Sequence, residues 1–192
     1  LKEVQAEDLQ GSNDGTIIGA TTTTGYTSSP HGVVDPINYG TLKSGTALSF
    51  DGTNDYVDAG NSFSSLIKES FTWSAWIKPD DGQPSAIGII MGTVTSVNWT
   101  GYVYFRLNTN GTLHFTHGTY LAKEFTLTTG SAVFADGATD WTNVALVFSK
   151  ASATTGTITI YANGSSVGTS SSPGAGWNTD NYVNNYNLHI GA

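Results

Sequence analysis

The sequence predicts an all-β fold in which two antiparallel sheets pack face to face as a sandwich. Apolar and polar residues alternate in several short segments, and turn dipeptides such as Asn-Gly separate these segments. The polar residues are mostly Thr, Ser, Asn and Gly, which favour strands and turns over helices. A short helical turn is expected only in "FSSLIKES", residues 63–70. Together these features favour a β-sandwich.

Length and composition predict a single domain and exclude several function classes. The 192 residues are 38% hydrophobic, which is sufficient for one packed core across residues 1–192. The net charge is −8 and the seven basic residues are widely spaced, so we expect no binding to nucleic acid or to anionic membranes. No apolar run approaches about 18 residues, which argues against membrane insertion. The absence of Cys excludes disulfides and thiolate zinc sites.

The first strong strand signals lie in the middle of the chain. The segment "FTWSAWIKP" (residues 71–79) alternates in period two and ends at a proline. The segment "YVYFRLNTNGTLHFTHG" (residues 102–118) predicts a hairpin, because Asn110-Gly111 separates two alternating runs. The expected apolar faces of these two segments comprise Phe71, Trp73, Ala75, Ile77, Val103, Phe105, Leu107, Leu113 and Phe115.

Three further strand signals follow towards the C-terminus. "WTNVALVFS" (residues 141–149) and "GTITIYANGSSVGTS" (residues 156–170) alternate in the same way, and the second turns at Asn163-Gly164. "YNLHIGA" (residues 186–192) closes the chain as a short strand. The strands therefore recur with short connections, as an antiparallel sandwich requires.

The stretch "ALSFDGTNDYVDAG" (residues 47–60) is acidic and admits three interpretations. Turn chemistry alone explains Asp51, Gly52 and Asn54 between two strands, and this interpretation is favoured. Clustered carboxylates also suit Ca²⁺, which binds oxygen ligands. The third interpretation is a catalytic pair formed by Asp55 and Asp58, although the two follow a turn and are expected to face different ways.

The tryptophans divide into two groups. Trp73, Trp76 and Trp141 lie within regular strands and are predicted to pack in the core or on a sheet. Trp99 and Trp177 lie in amide-rich segments that resemble loops, where an aromatic ring can stack on a sugar while amides bind its hydroxyls. The alternative is a ring tucked onto the sandwich. The candidate ligand-binding residues are Trp177, Asn178, Asp180, Asn181, Tyr182, Asn184, Trp99 and Tyr102.

The histidines do not form a recognisable metal motif. His114 and His117 are three residues apart on a predicted strand, so their side chains point to opposite faces. Both are predicted to lie on the surface or to pack within the hairpin. No catalytic role is assigned to either residue.

The order of these segments resembles the concanavalin A-like lectin/glucanase superfamily, and is closest to the laminin-G-like (LamG, pentraxin-type) domains of bacterial, archaeal and phage surface proteins. "ALSFDGTNDYVDAG", "FTWSAWIKPDDG", "DWTNVALVFS", "TITIYANGSSVGTS" and "LHIGA" occur in the family's order, and "DLQGSNDGTIIGA" resembles its N-terminal strand and loop. The resemblance implies an antiparallel jelly-roll β-sandwich of the concanavalin A type.

The resemblance also carries expectations about metal and chain ends. It implies a structural Ca²⁺ near the acidic stretch, with Asp51, Asp55 and Asp8 as candidate ligands. Similar domains continue past the "IGA" strand with an acidic final strand, which this chain lacks. We therefore expect that the domain is part of a longer chain and that an open edge or gap remains in a sheet.

The leading functional hypothesis is a non-enzymatic carbohydrate-binding or adhesion module on an extracellular, cell-surface or virion protein. Its partner would be a glycan or a cell-surface polysaccharide. The alternative is a structural decoration or assembly domain of a phage particle, filament or surface layer, in contact with neighbouring subunits. A glycoside hydrolase is the third hypothesis, but the E-x-D-x-x-E motif of the superfamily's glucanases does not occur among the four glutamates.

Overall fold

The computed structural model describes residues 5–6, 15–24, 46–63, 65–93, 102–119, 123–171, 173–181 and 186–191. These residues form strands, turns and two short 3₁₀ helices, Leu66–Lys68 and Thr179–Asn181. The first of these helices lies in the segment expected to form a helical turn, which confirms that prediction. The strands are β1 (Gln5–Ala6), β2 (Gly15–Ile18), β3 (Thr21–Thr24), β4 (Thr46–Ser49), β5 (Tyr56–Asp58), β6 (Phe71–Ile77), β7 (Gly88–Gly92), β8 (Val103–Leu107), β9 (Leu113–Thr119), β10 (Lys123–Thr128), β11 (Thr142–Ser152), β12 (Thr155–Ala162), β13 (Ser165–Ser170) and β14 (His189–Ile190).

The strands form two main antiparallel sheets and one small ribbon. The large sheet has eight strands in the order β1-β2-β5-β14-β7-β8-β9-β10, and the small sheet has four in the order β13-β12-β11-β6. Strands β3 and β4 pair separately as a two-stranded ribbon. The chain is therefore an all-β jelly-roll sandwich of the concanavalin A type, as the sequence predicts.

The core lies between the facing sides of the two sheets. Burial alternates along β8, where Val103, Phe105 and Leu107 are buried and the residues between them are partly exposed. Leu146 on β11 and Ile160 on β12 pair directly and are fully buried. Period-two burial thus holds across both sheets, which confirms the predicted apolar faces of these strands.

Two tight turns join consecutive strands as the sequence predicts. Asn163 and Gly164 have φ values of 46° and 78°, so both occupy the left-handed region that a type I′ hairpin requires. Gly111 has a φ of 75°, and its carbonyl oxygen accepts hydrogen bonds from the backbone N–H groups of Val133 and Phe134. The second turn therefore also anchors the loop that follows β10.

Residues 50–55 form the turn between β4 and β5, which confirms the favoured interpretation of the acidic stretch. The Asp51 carboxylate accepts hydrogen bonds from the backbone N–H groups of Thr53 and Asn54 at 2.8 and 3.2 Å. Asp55 Oδ2 accepts the N–H of Asp51 at 3.0 Å. The N–H donors, Thr53 first, lower the pKa of Asp51 because they favour its charged form. The two flanking strands belong to different sheets and do not pair with each other.

Strand β6 is an edge of the small sheet, and its two faces differ in burial. Phe71, Trp73 and Ile77 pack against the core from partly buried positions. Trp76 is 46% exposed on the opposite face, so of its two predicted positions the core is wrong, and packing on the sheet stays a prediction. Its position follows from period two, because it shares a face with the exposed Thr72. No helix within the described residues has the length and apolar character needed to cross a membrane.

Candidate functional site

The outer face of β8, β9 and β10 carries a group of aromatic, basic and hydroxyl side chains. The register of these strands places the residues in three cross-strand rows, because directly paired residues share a face. We name this set the outer-face grid. Its rows are Tyr102, Gly118 and Glu124; Tyr104, Thr116 and Thr126; and Arg106, His114 and Thr128.

The Tyr102 ring packs across the first row of the grid and against the ring of Tyr104 in the second row. A Cβ on Gly118 would lie 2.9 Å from Tyr102 Cζ, so the ring rests against the glycine backbone. The Tyr102 hydroxyl donates a hydrogen bond to the Glu124 carboxylate. The side chain is only 5% exposed, so the prediction that Tyr102 contacts a ligand at a loop rim is wrong. Its ring instead packs beside Tyr104, at 14° between ring planes and 5.8 Å between centroids.

Tyr104 and His114 form the aromatic centre of the grid. Their ring centroids are 5.8 Å apart with planes 30° apart, and both residues are partly exposed. His114 Nδ1 lies 2.6 Å from Thr128 Oγ1, and Nε2 lies 2.7 Å from Thr116 Oγ1. Burial, with a smaller contribution from the positive charge of Arg106, lowers the pKa of His114 to about 4. The imidazole is therefore neutral at pH 7 and takes part in a hydroxyl network.

Arg106 is the one arginine of the chain and lies at the corner of the grid. Its guanidinium carbon is 5.1 Å from the centroid of the Tyr104 ring, a cation–π geometry. Within the described part of the chain, the single ion pair joins Lys150 to Glu69, so Arg106 has no acidic partner there. Its Nε is buried and has no hydrogen-bond partner among the same residues. The grid thus holds a guanidinium that forms no ion pair with a described carboxylate.

A row of the grid continues across the large sheet. Tyr104 pairs with Gly92, Gly92 with His189, and His189 with Asp58, so these positions share the outer face. The His189 ring lies 4.5 Å from the ring of Tyr56. Because Gly92 carries no side chain, the outer surface is shallowest at its position between Tyr104 and His189. The outer face therefore combines ring surfaces with polar groups over several adjacent strands.

Trp177 lies in the core, so the prediction that it forms a ligand-binding rim is wrong. The side chain is 2% exposed, and its Nε1–H donates to the backbone carbonyl of His117 at 3.1 Å. Its ring lies 5.2 Å from that of Phe125 and 6.0 Å from that of Phe148. Burial of the apolar ring together with satisfaction of its one polar atom explains this position. The interpretation of a ring tucked onto the sandwich is therefore correct.

Of the other predicted rim residues that follow Trp177 in the chain, the structure describes Asn178, Asp180 and Asn181. Asn178 Oδ1 accepts the backbone N–H of Asp180 at 2.8 Å, so these two residues shape the local turn. Asn181 lies in the 3₁₀ helix Thr179–Asn181. Trp99, Tyr182 and Asn184 lie outside the described residues.

His117 is fully buried, on the opposite face of β9 from His114. The opposite orientation confirms the spacing argument; the surface alternative is wrong for His117, which packs inwards from its position in the hairpin. Its Nε2–H donates to the carbonyl oxygen of Ile67 at 2.9 Å, and its ring lies 5.2 Å from that of Phe148. Burial lowers the pKa of His117 to about 4, so the residue is a neutral part of the core.

The candidate cation ligands have turn roles in the structure. Asp51 and Asp55 each accept a backbone N–H, as described above, and Asp8 lies outside the described residues. Where the structure describes side chains, no three His, Asp or Glu residues cluster so as to hold a metal ion. The described residues therefore supply two carboxylates for Ca²⁺, fewer than its usual six to eight oxygen ligands. Calcium binding stays a prediction.

Comparison with protein families agrees with this architecture. A family model described as Concanavalin A-like lectin/glucanases superfamily matches residues 51–192. The chain belongs to this superfamily. No curated protein matches the chain closely enough to count as a relative.

Three of the solved structures that are similar to this superfamily member show the same carbohydrate-binding module. The Ruminococcus gnavus IT-sialidase CBM40 has 17% sequence identity and a TM-score of 0.49, covering 69% of this chain and 73% of that chain. The same module bound to α2,6-sialyllactose has 16% identity and a TM-score of 0.46, covering 69% and 74%. Bound to α2,3-sialyllactose it has 16% identity and a TM-score of 0.46, covering 68% and 72%.

The described carboxylates on the outer face of the large sheet accept hydrogen bonds from within the fold. Asp58 Oδ1 accepts the N–H of Gly60 and Oδ2 accepts Asn187 Nδ2–H, both at 2.8 Å. Glu124, the other outer-face carboxylate described, bonds to Tyr102. Asp58 and Glu124 lie on β5 and β10, five strand spacings apart in the large sheet, which is about 24 Å along the sheet at ~4.8 Å per spacing.

Proposed function

We propose that the chain is a non-catalytic carbohydrate-binding module of an extracellular, cell-surface or virion protein, and that its glycan binds on the outer-face grid. The observation that carries the proposal is the cluster of Tyr104, His114 and Arg106 on a face that the core does not use. The inner face of the same strands already supplies the buried apolar residues. Tyr104, His114 and Arg106 are each partly exposed, which makes them accessible to a ligand.

The chemistry of the grid suits a sugar. A partly exposed tyrosine ring stacks against the C–H face of a pyranose, and hydroxyl and imidazole groups bind its hydroxyls. Tyr104 supplies the ring, while His114 and Thr128 supply a hydrogen-bonded pair beside it. Both ring nitrogens of neutral His114 are bonded to Thr116 and Thr128, so the imidazole holds the exposed Thr128 hydroxyl in place, and that hydroxyl keeps hydrogen-bonding capacity for a sugar.

The arrangement of carboxylates supports a binding role over hydrolysis. Glycosidases place two carboxyl groups about 5–10 Å apart across the scissile bond. Asp58 and Glu124 are separated by five strand spacings and both accept hydrogen bonds within the fold. The proposal therefore assigns recognition to this face and no chemical step.

A glycan array with two matched tyrosine variants tests the proposal. Tyr104→Ala removes the ring at the centre of the grid, whereas Tyr161→Ala makes the same change on β12 of the small sheet. We expect wild type and Tyr161→Ala to bind the same glycans, and Tyr104→Ala to bind them at least tenfold more weakly, with melting temperatures as the folding control. Equal binding by all three proteins, or no binding to any glycan, would overturn the proposal.

An assembly domain is the second candidate, and exposed apolar side chains favour it. Leu66, Trp76 and Ile87 are 57%, 46% and 48% exposed, and Trp76 lies on a strand at one end of the small sheet as described. Self-association in light scattering, abolished by Trp76→Lys, together with silence on the glycan array, would favour assembly.

We retain calcium as a structural ligand in the proposal, with Asp51 and Asp55 as its carboxylates. Asp51→Asn tests this, because the amide oxygen still accepts the turn N–H groups while the charge is lost. Calcium would raise the melting temperature of the wild type by mass action and leave that of the variant unchanged. An equal response of both proteins to calcium and to a chelator would contradict it.

A further inference from the structure

Arg106 is the one cationic side chain described on the outer face of the large sheet. It is the single arginine in a chain of net charge −8, and the described side chains of the outer face include no other cation. In a chain with 15 acidic residues, its guanidinium nevertheless has no described carboxylate partner. The charge is therefore available to a ligand.

Partial burial makes this charge costly to leave unpaired. The Nε atom is buried without a hydrogen-bond partner among the described residues, and Tyr104 lies against the guanidinium. A desolvated donor without an acceptor is destabilising, and the contribution is larger for a charged group. The side chain as a whole is partly exposed, so a bound anion would pair with the accessible part of the guanidinium and offset part of the desolvation cost.

The shape of the guanidinium restricts what that anion is. Its planar fork matches two oxygens of a carboxylate or sulfate, and the Tyr104 ring restricts the orientation of the fork. The adjacent aromatic pair of Tyr104 and His114 provides the surface on which a sugar ring would lie. The charged and stacking groups are next to each other on one face.

We infer that the glycan bound by the outer-face grid carries a carboxylate or sulfate group that pairs with Arg106. This inference rests on the proposed function and adds the class of ligand. Because His114 is neutral, Arg106 is the one described cation of the grid. We therefore expect one anionic group of the glycan to bind per site. The net charge of −8 disfavours unspecific binding of polyanions, so selectivity would come from this local pair.

Matched glycans that differ only in charge test the inference. An array presents oligogalacturonate beside its methyl ester, and sulfated galactan beside its desulfated form, to wild type, Arg106→Lys and Arg106→Gln. We expect wild type to bind the charged member of a pair at least tenfold more tightly. Arg106→Gln would lose this preference, while Arg106→Lys would retain part of it because the charge remains without the bidentate fork.

The single arginine also gives a direct spectroscopic readout. One Arg Nε–H signal is expected in a ¹⁵N–¹H spectrum, and it requires no assignment by mutagenesis. We expect this signal to shift on titration with the charged glycan and to stay in place with its neutral counterpart. Added NaCl should weaken the charged interaction through screening.

The outcomes separate the inference from the proposed function. If the bound glycans are neutral, depend on Tyr104 and leave the Nε–H signal unmoved, the inference is overturned and the proposed function stands. If no glycan on the array binds, both fail. If charged glycans bind equally well to wild type and to folded Arg106→Gln, the inference is likewise overturned.

Discussion

At the scale of single residues, the position of Trp177 depends on a close backbone approach at Gly174. Trp177 follows Gly174, whose backbone N–H donates to the Glu124 carbonyl at 2.8 Å, and a Cβ on Gly174 would lie 2.6 Å from that oxygen. This close approach brings the loop against β10 and directs the indole into the core. The composition of the loop did not predict the approach, because it depends on a partner 50 residues earlier.

Two tryptophan variants test the core position of Trp177. We expect Trp177→Ala to lower the free energy of unfolding by about 3–5 kcal/mol, because it leaves a cavity among Phe125 and Phe148. Trp76→Ala should lower it by under about 1 kcal/mol, because that ring is 46% exposed. Urea denaturation measures both values. Similar losses for the two variants would contradict the core position of Trp177.

A buried histidine predicts how stability depends on pH. The pKa of His117 falls from 6.5 in the unfolded chain to about 4 in the fold, so between these values the unfolded state binds more protons. Stability should therefore fall as pH decreases from 6.5 to 4, by of order 3 kcal/mol from His117. Partly exposed His114 contributes in the same direction.

The variant His117→Gln isolates this effect, because its amide can still donate to the Ile67 carbonyl but does not titrate. Its unfolding free energy should change less between pH 6.5 and 4 than that of the wild type. Asp51 and Asp81, whose pKa values backbone N–H donors lower, instead lose stabilisation as pH falls below 3.8. An unchanged slope above pH 4 in His117→Gln would refute the assignment.

At the scale of elements, hairpins were predictable and sheet membership was not. The Asn110-Gly111 and Asn163-Gly164 signals place β8 beside β9 and β12 beside β13 through local turn geometry. The position of β14 between β5 and β7 depends on pairing with strands about 100 or more residues earlier. No local pattern in "NLHIG" specifies those partners.

The candidate site was within reach of the hairpin prediction. A register that pairs Leu107 with Leu113 also pairs Arg106 with His114 and Tyr104 with Thr116. The apolar residues of this hairpin carry the strand signal, whereas Tyr104, Arg106 and His114 occupy the intervening positions. The polar half of this amphipathic hairpin therefore carries the candidate site, whereas Trp177 lies in the core.

Two glycines at hairpin turns should respond differently to the same substitution. Gly164→Ala adds a Cβ into open space, so only the left-handed φ of 78° opposes it, at about 1–2 kcal/mol. Gly111→Ala has a similar φ of 75°, and its Cβ would also overlap the carbonyl oxygen of Phe134. We expect a clearly larger loss of unfolding free energy for Gly111→Ala, measured by urea denaturation. Equal losses would show that the loop after β10 moves aside.

At the scale of the whole molecule, the first and the last described strands both belong to the large sheet. Strands β1 and β2 form one side of it, while β14 enters its interior between β5 and β7. These long-range pairings imply slow folding, because loop-closure entropy must be overcome before the strands pair. The central row of the outer-face grid depends on these pairings, because it continues from Tyr104 on β8 through Gly92 on β7 to His189 on β14.

Deletion of short segments distinguishes interior from edge strands. Removal of residues 186–192 deletes β14 and leaves facing edges of β5 and β7 without hydrogen-bond partners in the middle of the sheet. Removal of residues 1–6 deletes β1, which pairs with β2 alone at the sheet edge. We expect the first deletion to abolish cooperative thermal unfolding and the second to lower the melting temperature by only a few degrees. The two strands contain two residues each, so position in the sheet accounts for the difference. Cooperative unfolding of both truncated chains near the wild-type temperature would mean that the sheet tolerates a gap at its centre, and that the outer face beyond β7 is organised independently of β14.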